Sequence, residues 1–276
     1  QVKRDNITPR GHGVPAARAT GFQELNVIDV VRPITKYAET VDDERFIRYH
    51  LEKALYLATH GRPGPVFVEI PLDVQAAEID PTDLWSFDPV REFGLEMPRA
   101  RRGQIEHVAS LLRDAKRPLL LTGNGIRLAH GGPALERVLE KLAINVVTPM
   151  FTADDLVTYA YPYYLGRQGI PGNRAANYAI DNCDVLLVIG DRLQLTQTSY
   201  DYEQFGAQAK IIMVDIDDGE LTKRTLRVDV PIHSDAREFL EALLAEDIVL
   251  ARWDVDVVPP DPDVYPCDPA HLNVYR

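Results

Sequence analysis

Five short stretches of the 276-residue chain carry residue types suited to holding an anion or a nucleotide. They are Gly123-Asn124-Gly125 with Arg127, Thr148 to Phe151 including Met150, Gly166-Arg167-Gln168-Gly169, Gly190-Asp191-Arg192, and Asp215-Ile216-Asp217. Glycine lets backbone approach a pyrophosphate closely, arginine supplies positive charge and planar donors, and a carboxylate accepts from ribose hydroxyls. Each stretch also has an ordinary reading as a turn or a helix cap. Leu128 stands where the third glycine of a dinucleotide fingerprint belongs, so Gly-Asn-Gly alone does not decide between the two. Taken together, the five favour a nucleotide-type groove. No nucleophile, histidine and acid form a recognisable set. The seven histidines are scattered, and no two have metal-ligand spacing on one helix.

The elements that must position these groups alternate. Ile105, Val108, Ala109 and Leu112 mark one face of a helix. An apolar run, Pro118 to Thr122, reads as a strand. A second amphipathic helix spans Pro133 to Ala143, with Leu135, Val138, Leu139 and Leu142 on one side. Val146 and Val147, Val185 to Ile189, Ile211 to Ile216 and Val228 to Ile232 read as further strands. Arg174 to Asp181 reads as a helix, and Ser234 is expected to cap a last helix through Leu244. Each candidate stretch then falls at or near the carboxyl end of a strand, where open α/β sheets bind ligands. Before this region, Ile34 to Glu39 is expected as a strand. Asp42 or Asp43 starts a helix with Ile47, Leu51, Ala54, Leu55 and Ala58 on one face, and Gly61 ends it. Pro65 to Pro71 reads as a buried strand.

The expected fold is α/β: a doubly wound, mostly parallel six-stranded sheet, Rossmann-like, preceded by the tail of a second α/β domain. The expected organisation is a domain tail over 1–75, a linker over 76–103 with Trp85 and Phe87 as anchors, a nucleotide-binding-like domain over 104–246, and a connector over 247–276. The net charge of −12 argues against nucleic-acid or anionic-membrane partners. No run of 18 apolar residues exists for a membrane span. Cys183 and Cys267 form no zinc pattern and require no disulfide, which fits a cytoplasmic setting.

The stretch Gly61-Arg62-Pro63-Gly64-Pro65-Val66-Phe67-Val68-Glu69-Ile70-Pro71-Leu72-Asp73-Val74-Gln75 closely resembles the end of the pyrimidine-binding domain in thiamine-diphosphate enzymes of the acetolactate (acetohydroxyacid) synthase type. Gly21-Phe22-Gln23-Glu24 and Arg32-Pro33-Ile34-Thr35-Lys36 resemble two further segments of that family. So, in order, do Gly123 to Arg127, Ala176 to Ala179, Asp184 to Arg192 and Val214 to Asp217. The resemblance covers residues 1–245.

It implies a decarboxylase or carboligase acting on a small 2-oxo acid, with thiamine diphosphate and Mg²⁺ as cofactors and a homodimer or homotetramer as the assembly. Phe22, Gln23 and Lys36 would border the substrate channel. The segments that activate the cofactor and bind its diphosphate are not in this sequence, so the chain is expected to be the central portion, inactive alone. The synthases hold FAD in the central domain and related members hold ADP. Gly123, Asn124, Gly125, Arg127, Thr148, Met150, Gly166, Arg167, Gly190, Arg192, Asp215 and Asp217 are the candidate contacts here. Two departures stand out. Leu193-Gln194-Leu195-Thr196 replaces the synthases' Phe-Asp-Asp-Arg, and Gly166-Arg167-Gln168-Gly169 replaces Met-x-Gly-x-His-Gly. The reading kept beside this one is a non-catalytic module binding FAD, ADP or NAD.

Overall fold

The structure, a computed structural model, describes residues 25–94, 97–150 and 156–255. The chain divides into two compact units, one ending at Glu96 and one beginning at Met97.

The first unit contains α1 (Val27–Val31), β1 (Tyr37–Thr40), α2 (Ile47–Thr59), β2 (Val66–Glu69), α3 (Leu72–Gln75) and α4 (Pro89–Phe93). β1 and β2 form a two-stranded parallel sheet, with Tyr37 opposite Val66. Asp43 starts the helical segment by accepting from the Arg45 N–H at 3.0 Å. Gly61, at φ +65°, takes the chain out of it. Two expectations are corrected. On the α2 face only Ala54 is buried, while Leu51 and Leu55 are 48% and 69% exposed. β2 is half-buried throughout. Two strands are too narrow to cover a 13-residue helix or to be covered on both faces themselves. The aromatics of 85–93 pack as anchors: Trp85 stacks on Phe46 at 5.6 Å, and Phe87 meets Tyr49 and Tyr56.

The second unit runs α5 (Arg102–Asp114), β3 (Pro118–Thr122), α6 (Asn124–Leu128), α7 (Gly132–Leu142), β4 (Asn145–Pro149), β5 (Tyr164–Gln168), α8 (Arg174–Asn182), β6 (Val185–Ile189), α9 (Leu195–Thr198), β7 (Lys210–Asp215), α10 (Asp218–Leu221), β8 (Val230–His233) and α11 (Ala236–Leu244). Its sheet is six-stranded and parallel throughout, in the order β5-β4-β3-β6-β7-β8. The central strands β3, β4 and β6 are buried at every residue, which is why β3 and β6 read as apolar runs, while β4 buries Asn145 and Thr148 beside Val146 and Val147. Alternate residues serve opposite faces. Leu120, Leu187 and Ile212 pack with Leu112, Leu135 and Phe239 under α5, α7 and α11. Leu119, Leu121, Leu186, Val188 and Met213 pack with Ala176, Ala179 and Ile180 of α8. Phe239 is fully buried, and truncating such a side chain to alanine costs about 3–5 kcal/mol.

The sixth strand, β5, was not among the strands expected from the apolar pattern. Its residues, Tyr164-Leu165-Gly166-Arg167-Gln168, contain a glycine and two polar groups, as an edge strand allows. The cap of α11 is Asp235, not Ser234: its carboxylate accepts from the N–H groups of Arg237 and Glu238. Ser234 Oγ instead accepts from the Ala100 N–H at 3.1 Å.

Candidate functional site at the strand ends

The chain adds β4 and β5 on one side of β3 and β6, β7 and β8 on the other. The switch of direction lies between β3 and β6, and their carboxyl ends carry Gly123-Asn124-Gly125 and Gly190-Asp191-Arg192. These two loops meet backbone to backbone. Gly123 donates its N–H to Ile189 O at 2.8 Å, and Gly125 donates to Gly190 O at 2.8 Å. Gly190 in turn donates to Val214 O of β7 at 2.9 Å. A Cβ on Gly123 would lie 2.2 Å from Gly190 O, and one on Gly125 would lie 2.7 Å from Gly190 Cα. Gly190 also has φ +64°, a conformation that glycine adopts without penalty. The glycines are thus required by protein backbone, and the two N–H groups that a pyrophosphate would use already have carbonyl partners.

Asp191 is almost fully enclosed. Its Oδ1 accepts from the Leu193 N–H at 2.7 Å and its Oδ2 from Gln197 Nε2 at 3.1 Å. Burial pushes its carboxyl above the usual range and the Asp215 charge adds to this. The two hydrogen bonds and the Lys223 ammonium oppose it. Leu193 is held at φ +48° with its side chain buried in the α8-side core. Arg192 is exposed and donates to Gln194 Oε1 at 3.1 Å, while its carbonyl accepts from Lys223 Nζ. Arg127 is exposed and donates to Asn124 Oδ1 at 2.9 Å.

Thr148 is buried, and its hydroxyl bonds the Tyr164 hydroxyl at 2.7 Å. Met150 follows at the end of β4, half-buried, and Phe151 lies outside the described residues. Thr148 pairs in register with Arg167 of β5. The turn after β5 is shaped by two asparagines. Asn173 Oδ1 accepts from the Arg167 N–H at 2.7 Å, and Gly166, at φ +101°, leaves room for it. Asn177 brackets Gly169, accepting from its N–H and donating to its carbonyl, both at 2.9 Å. Asp215 Oδ1 accepts from the Asp217 N–H, and Asp217 Oδ1 caps α10 through the Gly219 N–H, each at 2.9 Å.

The sequence reading assigned no role to Asn173, named Asn177 only within the resembling stretch Ala176 to Ala179, and held Asp191 only as part of Gly190-Asp191-Arg192. Two asparagines one helical turn apart, just after a glycine loop, are the signal for the first pair. Thr122 Oγ1 and Gln168 Nε2, at the ends of β3 and β5, are buried and without a hydrogen-bond partner among the described residues.

In the first unit, Lys36 donates to the carbonyls of His60 and Arg62, each at 2.8 Å, and burial holds its ammonium below the usual lysine range. Phe22 and Gln23 lie outside the described residues. Among the described residues, no three His, Cys, Asp or Glu side chains are placed to hold a metal ion, and no helix is long and apolar enough to cross a membrane. Cys183 is buried, and burial pushes its thiol up to about 12, which favours the neutral thiol over the thiolate near neutral pH.

A family model described as thiamine pyrophosphate enzyme, central domain, matches residues 105–243, the span from α5 to α11. The chain belongs to the thiamine pyrophosphate enzymes. It carries their central domain, and the order β5-β4-β3-β6-β7-β8 is the form that domain takes here. Over 237 residues it is 35% identical to the probable acetolactate synthase large subunit of Methanocaldococcus jannaschii, covering 83% of this chain and 38% of that protein. Over 228 residues it is 37% identical to the acetolactate synthase large subunit of Corynebacterium glutamicum, covering 81% and 35%. Over 231 residues it is 32% identical to the acetolactate synthase isozyme 2 large subunit of Escherichia coli, covering 83% and 40%. The chain therefore matches between about a third and two fifths of the length of these relatives. Matches of more than 80% of the chain extend beyond the central domain into its neighbours, so a free-standing nucleotide-binding module is not favoured.

Proposed function

We propose that this chain is the centre of a thiamine-diphosphate-dependent enzyme that decarboxylates a small 2-oxo acid and joins the product to a second carbonyl compound. The observation that carries this is the 35–37% identity to acetolactate synthase large subunits over most of the chain. In the whole enzyme, thiamine diphosphate with Mg²⁺ supplies the electron sink for loss of CO₂. In this reading the cofactor is held by other parts of the enzyme, and this chain alone has no turnover.

The described residues contribute rigidity and position. Lys36, which the family resemblance puts beside the substrate channel, is held in place by donating to the carbonyls of His60 and Arg62 in the turn after α2. The full-length enzyme is a cytoplasmic homodimer or homotetramer in this reading. The test is product analysis of the full-length protein given pyruvate, thiamine diphosphate and Mg²⁺. Acetolactate with CO₂ is expected. Acetaldehyde with CO₂ would remove the carboligation step, and no CO₂ from any of a panel of 2-oxo acids would sink the reading.

A further inference from the structure

We infer that the two glycine loops form a backbone clasp that closes the crevice between β3 and β6, and that the central domain of this chain is a rigid spacer which seats no FAD or ADP diphosphate there. In a doubly wound sheet the switch point is where the halves diverge and a ligand crevice opens. Here the halves are stitched across that point. Gly123 N–H to Ile189 O and Gly125 N–H to Gly190 O join β3 to β6, and Gly190 N–H to Val214 O continues the stitch to β7. The space a glycine would leave for a phosphate is filled by the opposite loop, 2.7 Å from a Cβ on Gly125 and 2.8 Å from one on Gly190.

The loop that follows Gly190 is also drawn inward, although Arg127 and Arg192 stay exposed. The loop after Gly190 sends Leu193 into the core and buries Gln197 and Thr198. Asp191 pins that loop through Leu193 and Gln197. Within Leu193 to Thr196, where the sequence departs from the FAD-holding pattern, Leu193 turns into the core while Leu195 and Thr196 stay exposed. Asp215 and Asp217 each spend an oxygen on the N–H of their own turn. The α6 helix has five residues, too few to present a helix-terminal field to an anion.

Amide hydrogen exchange on the 276-residue chain, read by NMR at Gly123 and Gly125, tests the clasp directly. Both amides are expected to exchange as slowly as the strand amide of Leu121, more than about a hundredfold slower than an open loop amide, without any ligand. Millimolar FAD or ADP is expected to leave both rates and both chemical shifts unchanged. Fast exchange in the free chain, or protection or shifts appearing only with FAD or ADP, would overturn the inference.

Discussion

Gly125 and Gly190 face each other so closely that a methyl group on either would stand 2.7–2.8 Å from the other's backbone. Gly125 N–H donates to Gly190 O across the same gap. This contact joins the strand that begins the central sheet to the strand that begins its second half. Its consequences can be measured.

Gly190→Ala carries two penalties. The left-handed φ costs about 1–2 kcal/mol for a residue with a Cβ, and forcing a methyl against backbone costs about 1–3 kcal/mol. A combined loss of about 2–5 kcal/mol lowers Tm by roughly 10 °C in a domain of this size. Gly125→Ala carries the second penalty alone and falls in between. Gly103→Ala, on α5 with open space beside it, is the control and stays within about 0.5 kcal/mol. Differential scanning fluorimetry ranks the three, and equal melting temperatures would show that the loops do not touch.

Thr122→Val should stabilise the chain. The hydroxyl at the end of β3 is buried with no partner among the described residues, and an unpaired buried polar group costs about 1–3 kcal/mol. Removing it while keeping the side-chain shape is expected to gain about 1 kcal/mol, seen as a later urea midpoint. A loss of that size would mean the hydroxyl is bonded to a water or a ligand.

Asp191 gives the second unit a pH dependence of definite sign. Its carboxyl is raised in the folded state, so its contribution is present below the unfolded carboxyl value and is lost as pH rises through the folded one. Asp191→Asn keeps an acceptor for the Leu193 N–H and removes the ionisation. Guanidinium midpoints read on Trp253, which packs against the α8-side core, in a Trp85→Phe background should show a smaller fall between pH 4 and 8 in the variant. An unchanged slope would place the titration elsewhere.

His50 gives the first unit the opposite dependence. Its Nδ1 lies 2.6 Å from the Tyr37 hydroxyl, whose own ionisation burial raises to about 12. His50 is lowered chiefly by burial and also by Lys53, against the charges of Glu39 and Asp42. A lowered histidine gives stability that is present above the unfolded value of about 6.5 and lost as pH falls through the folded one. Denaturation read on Trp85 in a Trp253→Phe background should weaken from pH 7 to pH 5, and His50→Gln should flatten the curve. A variant that keeps the slope would clear His50 of the role.

Much of the fold was legible because the signals are periodic. Leu119 to Leu121 and Val185 to Ile189 are apolar without interruption because both faces of those strands are covered. Ile105, Val108, Ala109 and Leu112 lie inward as their spacing requires. β5 was not legible, since Gly166, Arg167 and Gln168 carry turn and surface signals and an edge strand needs no apolar run. The half-exposed face of α2 was not legible either, because the amphipathic pattern shows which face seeks cover and not how wide the cover is. The candidate site was readable in position and not in use. Gly-Asn-Gly spacing announces that backbone must come close to something. The partner, Gly190, lies 65 residues further along the chain and is brought there by the fold.

In the proposed function this chain is a non-catalytic centre whose cofactor sits on other parts of the same enzyme. The most direct measurement sets the 276-residue chain beside the full-length protein, both with thiamine diphosphate and Mg²⁺, and follows CO₂ release from pyruvate. Turnover by the full-length protein that depends on thiamine diphosphate, with none above background for the chain, is predicted. Cofactor-dependent CO₂ release by the chain alone would contradict it.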